Sequence, residues 1–327
     1  MKQFWREVGL AVVLGMLMPG VILNIVTYSA HRRATGYREI TQTESVNTDQ
    51  TIISVFTPDT GITQMELESY LIGVVLAEMP ASFETEALKA QAVVARTYTL
   101  RAYEGKSKHD NAAVCTESSC CQAYRSPEGY LLDGGAAENL EKVRSAVEDT
   151  RGMVLTYEGE LIEATYFSCS GGMTEDAVAV WGTEVPYLQS VSSPGEENSA
   201  YYTDSISFER AQLLEILELT SQEGTFRIDN ISYTTGGGVD ELSVCGTIFR
   251  GTELRRLLGL RSTAFTITID EETVTFHTRG FGHRVGMSQY GADAMAVSGH
   301  NYREILQHYY PGTVLENRSI DKQSSVG

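Results

Sequence analysis

Apolar and polar positions along the 327-residue chain fall into distinct regimes. From Val8 to Ala30 no charged residue occurs and most positions are apolar, a run long enough to cross a bilayer once. Between Tyr70 and Tyr103 apolar residues recur at helical spacing on both sides of a break. Tyr70, Leu71, Val74, Val75 and Leu76 precede it; Leu88, Ala92, Ala95 and Thr99 carry the spacing on. The break reads Ala77-Glu78-Met79-Pro80. Pro80 disfavours helical geometry at Met79, so the first helix is predicted to end near Glu78. Ser82 is predicted to cap the second, with Glu84 and Glu86 in its first turn.

The rest of the pattern is a mixture. A strand over 52–56 runs into the turn Pro58-Asp59-Thr60-Gly61. Residues 105–135 are irregular and polar, and 139–147 are helical. Residues 152–167 alternate about Glu158-Gly159 and predict a β-hairpin. Helices are predicted over 207–219 and 252–258, strands over 226–233, 241–249 and 265–276, and a turn at Gly236-Gly237-Gly238. Two more helices close the chain, ending at Tyr310-Pro311-Gly312. The fold class predicted is α+β: a mixed helical and antiparallel β domain with a central groove, after one N-terminal transmembrane helix. The expected organisation is an anchor over 1–33, a polar linker over 34–50 and one domain over 51–327. No small-x-small cleavage site closes the apolar run, so it is read as an uncleaved anchor.

Charge narrows the classes of partner. The chain carries −18 overall; Lys2, Arg6, Arg32 and Arg33 against Glu7 give residues 1–33 a net +3, which leaves −21 for the rest. So acidic a domain is unsuited to general nucleic-acid binding and better matched to a neutral polymer or a cationic partner. Basic residues flank the apolar run on both sides, so charge does not set its orientation.

Candidate chemistry gathers at five places. Glu78, at a helix C-terminus, faces the negative pole of the helix dipole; this and burial would raise its pKa, as a general acid near neutral pH requires. The N-terminus of the second helix opposes that shift, and the alternative is an ordinary exposed residue at a helix end. Lys89 and Arg96 share one helix face close to Gln91, either as snorkelling surface groups or as a groove wall. Ser168-Cys169-Ser170-Gly171-Gly172 is either a tight turn or a set of hydroxyls and N–H groups offered to a ligand. It lacks the G-x-S-x-G elbow of serine hydrolases. His283, in the glycine-rich stretch 279–292, is either a ligand or proton carrier or, as preferred, a hydrogen-bonded structural histidine. Five cysteines cannot all pair within one chain. His109, Cys115, Cys120 and Cys121, spaced H-x5-C-x4-C-C, suit a closed, structural zinc site. The alternatives are a disulfide such as Cys115 with Cys121, or free thiols, and the adjacent pair needs a turn to serve one ion.

Several of these segments together resemble the SpoIID/LytB family of sporulation and amidase-enhancer proteins. They are Glu78-Met79-Pro80, Glu86 to Ala92, Ala95-Arg96-Thr97-Tyr98, Ser170-Gly171-Gly172, and Gly282-His283 with Gly286-Met287-Ser288-Gln289 and Gly291-Ala292. The resemblance spans residue 50 to the end. It implies a lytic transglycosylase that cuts peptide-stripped peptidoglycan glycan strands to 1,6-anhydro-muramyl ends during forespore engulfment. It also implies a membrane-anchored amidase and a polytopic membrane protein as partners, and a domain outside the mother-cell cytoplasm. Glu78 matches the family's catalytic acid, and no cofactor is needed for the chemistry. Lys89, Arg96, Tyr166, Ser168, Ser170 and Gln289 become candidate groove contacts. Some clostridial members carry zinc on a pattern resembling H-x5-C-x4-H-C, where Cys120 here replaces histidine. A non-catalytic glycan-binding activator of an amidase is the alternative function.

Overall fold

The computed structural model describes residues 51–219 and 226–318. The apolar run 8–30 and the polar segment 34–50 lie outside the described residues, and among the described residues no helix is long and apolar enough to cross a membrane. What is described is a mixed α/β fold whose three-stranded sheets are antiparallel but for one short parallel pairing.

Strand β1 (Ile52–Thr57) turns at Gly61 into antiparallel β2 (Gly61–Glu66). Helix α1 (Leu67–Glu78) follows directly, the Glu66 carboxylate capping it by accepting from the Ser69 N–H. Helix α2 (Thr85–Arg101) starts two residues later than Ser82 would place it, with Glu84 at the N-cap position. Both helices are apolar on most sides and lie at the centre of the larger core. A substitution such as Leu71→Ala there costs about 2–5 kcal/mol.

Strand β3 (Val114–Cys115) pairs parallel with β1. The chain then folds back along α1: the Arg125 N–H donates to the Gly73 carbonyl, and Tyr124 stacks on Tyr70 with ring centroids 5.6 Å apart. A Cβ at Gly73 would strike the Tyr124 ring, so this docking requires glycine. Helices α3 (Pro127–Leu132) and α4 (Ala137–Asp149) lead to β4 (Met153–Tyr157) and β5 (Glu160–Leu161), which pair about the predicted Glu158-Gly159 turn. The hairpin stops there. Residues 166–167, expected to extend it, form β6 (Tyr166–Phe167), which instead pairs parallel with a strand more than a hundred residues later.

Past the short helix α5 (Ala177–Trp181) comes a second, smaller core. It packs β7 (Thr203–Glu209), α6 (Arg210–Ile216), β8 (Ile228–Asp229), β9 (Glu241–Val244), β10 (Thr247–Arg250), α7 (Gly251–Leu258), β11 (Phe265–Ile269) and β12 (Thr273–Arg279) around Phe208, Leu213, Leu242 and Phe276. Four corrections belong here: the single strands predicted over 241–249 and 265–276 each split into an antiparallel hairpin, β9–β10 and β11–β12. The predicted 207–219 helix begins as strand: Ile206 and Phe208 alternate inward with Ser205 and Ser207 outward, pairing with β12. The predicted strand over 226–233 shrinks to two residues. A buried ion pair bolts this region to the larger core. Arg284 reaches Glu175 Oε1 at 3.2 Å and the carbonyls of Ser170, Met173 and Gly236 at 2.7–2.8 Å. Glu175 also accepts from the Gly238 N–H and the Thr234 hydroxyl, so the glycine turn is a close-approach joint. The chain returns through β13 (Met287–Ser288), α8 (Gln289–Val297), α9 (Tyr302–Tyr309) and β14 (Val314–Asn317), which closes on β4.

Candidate active site

Helix α1 ends at Glu78 because Met79, ahead of Pro80, is extended at φ −130°, ψ 138°. Its carboxylate is half-buried, and Oε1 accepts the Ala123 N–H at 2.6 Å. Burial pushes the Glu78 carboxyl above its ordinary range; the Ala123 N–H, the Tyr166 hydroxyl and the Gln289 amide pull the other way and do not cancel it. The dominant cause is therefore desolvation.

Topology brings these partners together from across the chain. The parallel pairing of β6 with β13 sets Tyr166 opposite Met287 and Phe167 opposite Ser288, so Gln289 arrives beside Tyr166 at the start of α8. Gln122 donates to the Tyr166 hydroxyl at 3.2 Å and is itself held by Thr99 at 2.9 Å. Burial, and then the Glu78 charge, drives the Tyr166 phenol well above its ordinary value, so it stays a hydrogen-bond donor. The Gln289 side chain is buried with its Nε2 unpartnered among the described residues. Glu78 and Tyr166 open into a cavity of about 580 Å³ whose walls include Ser168, Trp181, Glu163, Lys108 and the backbone around Cys120 and Cys121. His283 lines it as well; burial lowers its pKa to about 4, and its Nδ1 accepts the Val285 N–H, which fits the structural reading.

Three residues expected in a groove are elsewhere. Arg96 is fully buried; its guanidinium grips both Glu68 oxygens at 2.9 and 2.6 Å and the carbonyls of Met153 and Val147. Four of its five N–H donors are taken inside the core, away from the cavity. Lys89 pairs with Glu86 at 3.1 Å and Asp149 at 3.2 Å, away from the cavity. Ser170 is fully buried and donates to Glu196 Oε2 at 2.9 Å. The chain missed from the sequence was Glu196 itself, 2% exposed. Its Oε2 also accepts the N–H groups of Ser170 and Gly171 and the Cys169 thiol; its Oε1 accepts the Ser193 and Ser288 hydroxyls at 2.7 and 2.6 Å. The serine–glycine motif and the end of β13 thus converge on an internal anion. Gly291 leaves the room: a Cβ there would collide with Ser193, Tyr309 and Glu196. Glu163 and Lys108 are cavity residues that no motif pointed to: Lys108 lies in the irregular segment 105–135, and Glu163 in a loop where the hairpin predicted over 152–167 stops short.

The third feature is the cluster His109, Cys115, Cys120 and Cys121, whose ligand atoms all lie within 4.8 Å of one another. The cysteines are free thiols, so the disulfide alternative does not hold. The Cys120 and Cys121 N–H groups both donate to the Glu117 carbonyl, and this turn lets adjacent residues face one point. His109 Nε2 lies 3.4 Å from Cys121 Sγ and 3.6 Å from Cys120 Sγ, and the two sulfurs are 3.9 Å apart. The edges of a tetrahedron with metal–sulfur bonds of about 2.3 Å and a metal–nitrogen bond of about 2.0 Å are roughly 3.5–3.8 Å. The donor set and its spacing therefore fit a metal ion.

Comparison with known proteins agrees with the earlier resemblance. Residues 59–157 match the family described as SpoIID, stage II sporulation protein. The chain is 38% identical to stage II sporulation protein D of Bacillus amyloliquefaciens over 78% of its own length and 76% of that protein. It is 34% identical to the protein of the same name from Bacillus subtilis over 96% of both chains. It is also 34% identical to the amidase enhancer of Bacillus subtilis, over 75% of this chain but 40% of that longer protein.

Proposed function

The chain belongs to the SpoIID family of stage II sporulation proteins, and on that premise we propose that it is a lytic transglycosylase acting on peptide-stripped peptidoglycan strands. The observation that carries this reading is Glu78: one carboxyl with a raised pKa, opening into a cavity beside Tyr166 and near Gln289. A protonated Glu78 donates to the glycosidic oxygen as the bond from the anomeric carbon breaks. The resulting carboxylate then takes the proton from the muramyl C6 hydroxyl as its oxygen closes on the same carbon. The proton returns to Glu78 and the product carries a 1,6-anhydro ring. Because the second nucleophile is the sugar's own hydroxyl, no second carboxylate is required, unlike two-carboxylate hydrolysis. Tyr166 and Ser168, on the cavity wall, are the proposed sugar contacts, and Gln289 supports Glu78 from behind.

Zinc is the ion proposed for His109, Cys115, Cys120 and Cys121. Four protein ligands leave no open position for water, so its role is structural: it fixes the loop that walls the cavity. The membrane anchor over 1–33, a location outside the mother-cell cytoplasm, and an amidase and a polytopic membrane protein as partners complete the proposal. A second reading, a glycan-binding activator of a cell-wall amidase, draws support from the similarity to the amidase enhancer.

The test compares the full-length protein with Glu78→Gln on peptide-free glycan strands, with products read by mass spectrometry. Anhydro-muramyl ends from the native protein and none from the variant are expected. Strand binding by both without cleavage would transfer the case to the activator reading. Reducing ends without anhydro-sugar would indicate hydrolysis, with Glu163, on the same cavity, as the second carboxylate.

A further inference from the structure

Charge inside the cavity is unevenly distributed. Glu78 and Glu163 bring carboxyl groups to its wall, and the whole chain is strongly acidic. Among the described residues that line it, Lys108 alone carries a full positive charge, since burial keeps His283 neutral. The Lys108 ammonium is held in place. It donates to the Cys120 carbonyl at 2.6 Å and sits 5.7 Å from the centre of the Tyr98 ring, which also lines the cavity. It lies next to His109 in sequence and against Cys120 in space, so the cluster that would bind metal fixes both its ends. An ammonium has three protons, and one is committed.

The other cations nearby are already engaged. Arg101 pairs with Glu163 at 3.7 Å, and Arg261, close to the Phe281 ring at the cavity wall, pairs with Asp204 at 3.1 Å. Among the described residues no carboxylate lies within 4.0 Å of Lys108. A lone fixed cation in an acidic cavity is matched to an anionic group on the ligand.

The glycan supplies one. Muramic acid carries a lactyl ether whose carboxyl is an uncharged amide while a stem peptide is attached. Once the peptide is removed, it becomes a free carboxylate. We propose that Lys108 binds this lactyl carboxylate and is the residue by which the site tells stripped strands from substituted ones. The proposal rests on the glycan substrate read above, and it adds a specificity-determining residue to the same cavity. The amide form would leave the ammonium without a counter-charge and place a bulky substituent against the loop at 118–121.

The test measures binding rather than turnover. Glu78→Gln in the full-length chain is titrated calorimetrically with peptide-free strands, and with the same strands after methylamidation of the lactyl carboxyls. The free acid is expected to bind about tenfold tighter, the size of one charge-assisted contact. Adding Lys108→Met should abolish that preference by weakening only free-acid binding, whereas Lys108→Arg should retain it. Absence of a preference in the Glu78→Gln protein overturns the proposal, as does a preference that survives Lys108→Met. Equal loss on both strand types also overturns it, because Lys108 then serves only the loop; metal content measured on each variant identifies that case. The lyase reading fails or stands separately. No anhydro product from the native protein leaves the binding result intact. Equal cleavage of both strand types sinks the role of Lys108 alone.

Discussion

Glu78 and Glu196 are both carboxylates set into the body of the fold, and they are treated in opposite ways. Glu196 receives six donors, from Cys169, Ser170, Gly171, Ser193 and Ser288, and each oxygen is used more than once. Glu78 receives one hydrogen bond, from the Ala123 N–H at 2.6 Å, and burial still raises its pKa against the pull of that N–H, Tyr166 and Gln289. A buried carboxylate with many donors organises structure; one that burial holds above its ordinary range has a proton to give. The difference divides the family motifs between the two. The Glu78-Met79-Pro80 break makes the under-solvated acid, whereas the serine–glycine and Ser288–Gly291 motifs build the saturated one.

The largest effect expected separates them by chemistry. Glu78→Gln should lower strand cleavage by about 10²–10⁴-fold, the usual contribution of a general acid–base. Melting temperature should stay at or above that of the native protein, because Gln preserves an acceptor for Ala123 and removes a disfavoured charge. Product mass spectrometry and calorimetry on one preparation check both halves. A variant that loses activity only because it melts would erase the contrast with Glu196.

The complementary substitution acts on stability. Glu196→Ala strands hydroxyl and backbone donors in a site with no route to water, at a cost of about 3–5 kcal/mol. In a domain of this size that is a fall in melting temperature on the order of 10 °C. Denaturant titration gives the free energy directly. Survival of the fold with a shift below about 1 kcal/mol would mean that the six contacts are worth no more than surface ones.

How far each carboxylate was legible follows from how local its environment is. The α1–α2 pair and the position of Glu78 are legible because apolar spacing and Pro80 act within one turn. The metal cluster is legible because its four residues lie within thirteen positions. Glu196 is not legible. Its partner Ser170 is 26 residues away and Ser288 is 92, and a buried serine–glycine turn reads the same whether it faces a ligand or an internal anion. Arg96 misleads for the same reason: its partner Glu68 lies on the neighbouring helix, 28 residues back. The β6–β13 pairing that delivers Gln289 to Glu78 spans about 120 residues and has no local signal at all.

A smaller effect tests whether the wall of the Glu78 cavity depends on metal. The native protein should contain one zinc per chain by elemental analysis. His109→Ala should lower both that content and the melting temperature, each ~1 kcal/mol lost corresponding to about 2–4 °C. The Glu196 site, whose partners lie outside the loop, should be untouched, so near-ultraviolet dichroism should change at tyrosines near the cavity while the overall fold remains. Full stability after chelation would separate the cavity wall from the metal cluster.

The smallest effect is a dependence on pH, and its sign follows from the burial of Glu78. In the unfolded chain Glu78 titrates near 4.5, and in the fold burial raises that value. Below pH 4.5 both states hold the proton, and the residue's favourable contribution is fully present. As pH rises through the native value the unfolded state is already ionised while the native state must ionise a half-buried group, and the contribution is lost. Glu78→Gln does not titrate. Its melting temperature relative to the native protein should therefore change little below pH 4.5 and rise across the window above it, levelling once native Glu78 is ionised. Glu196→Gln should be the less stable partner at neutral pH, since an amide nitrogen presents protons to donors that need an acceptor. Parallel pH series of the two Gln variants read the sign directly. A Glu78→Gln difference that is flat from pH 4 to 8 would mean that solvent reaches the carboxylate too freely for burial to govern it, and the contrast between the two acids would have to rest on donor count alone.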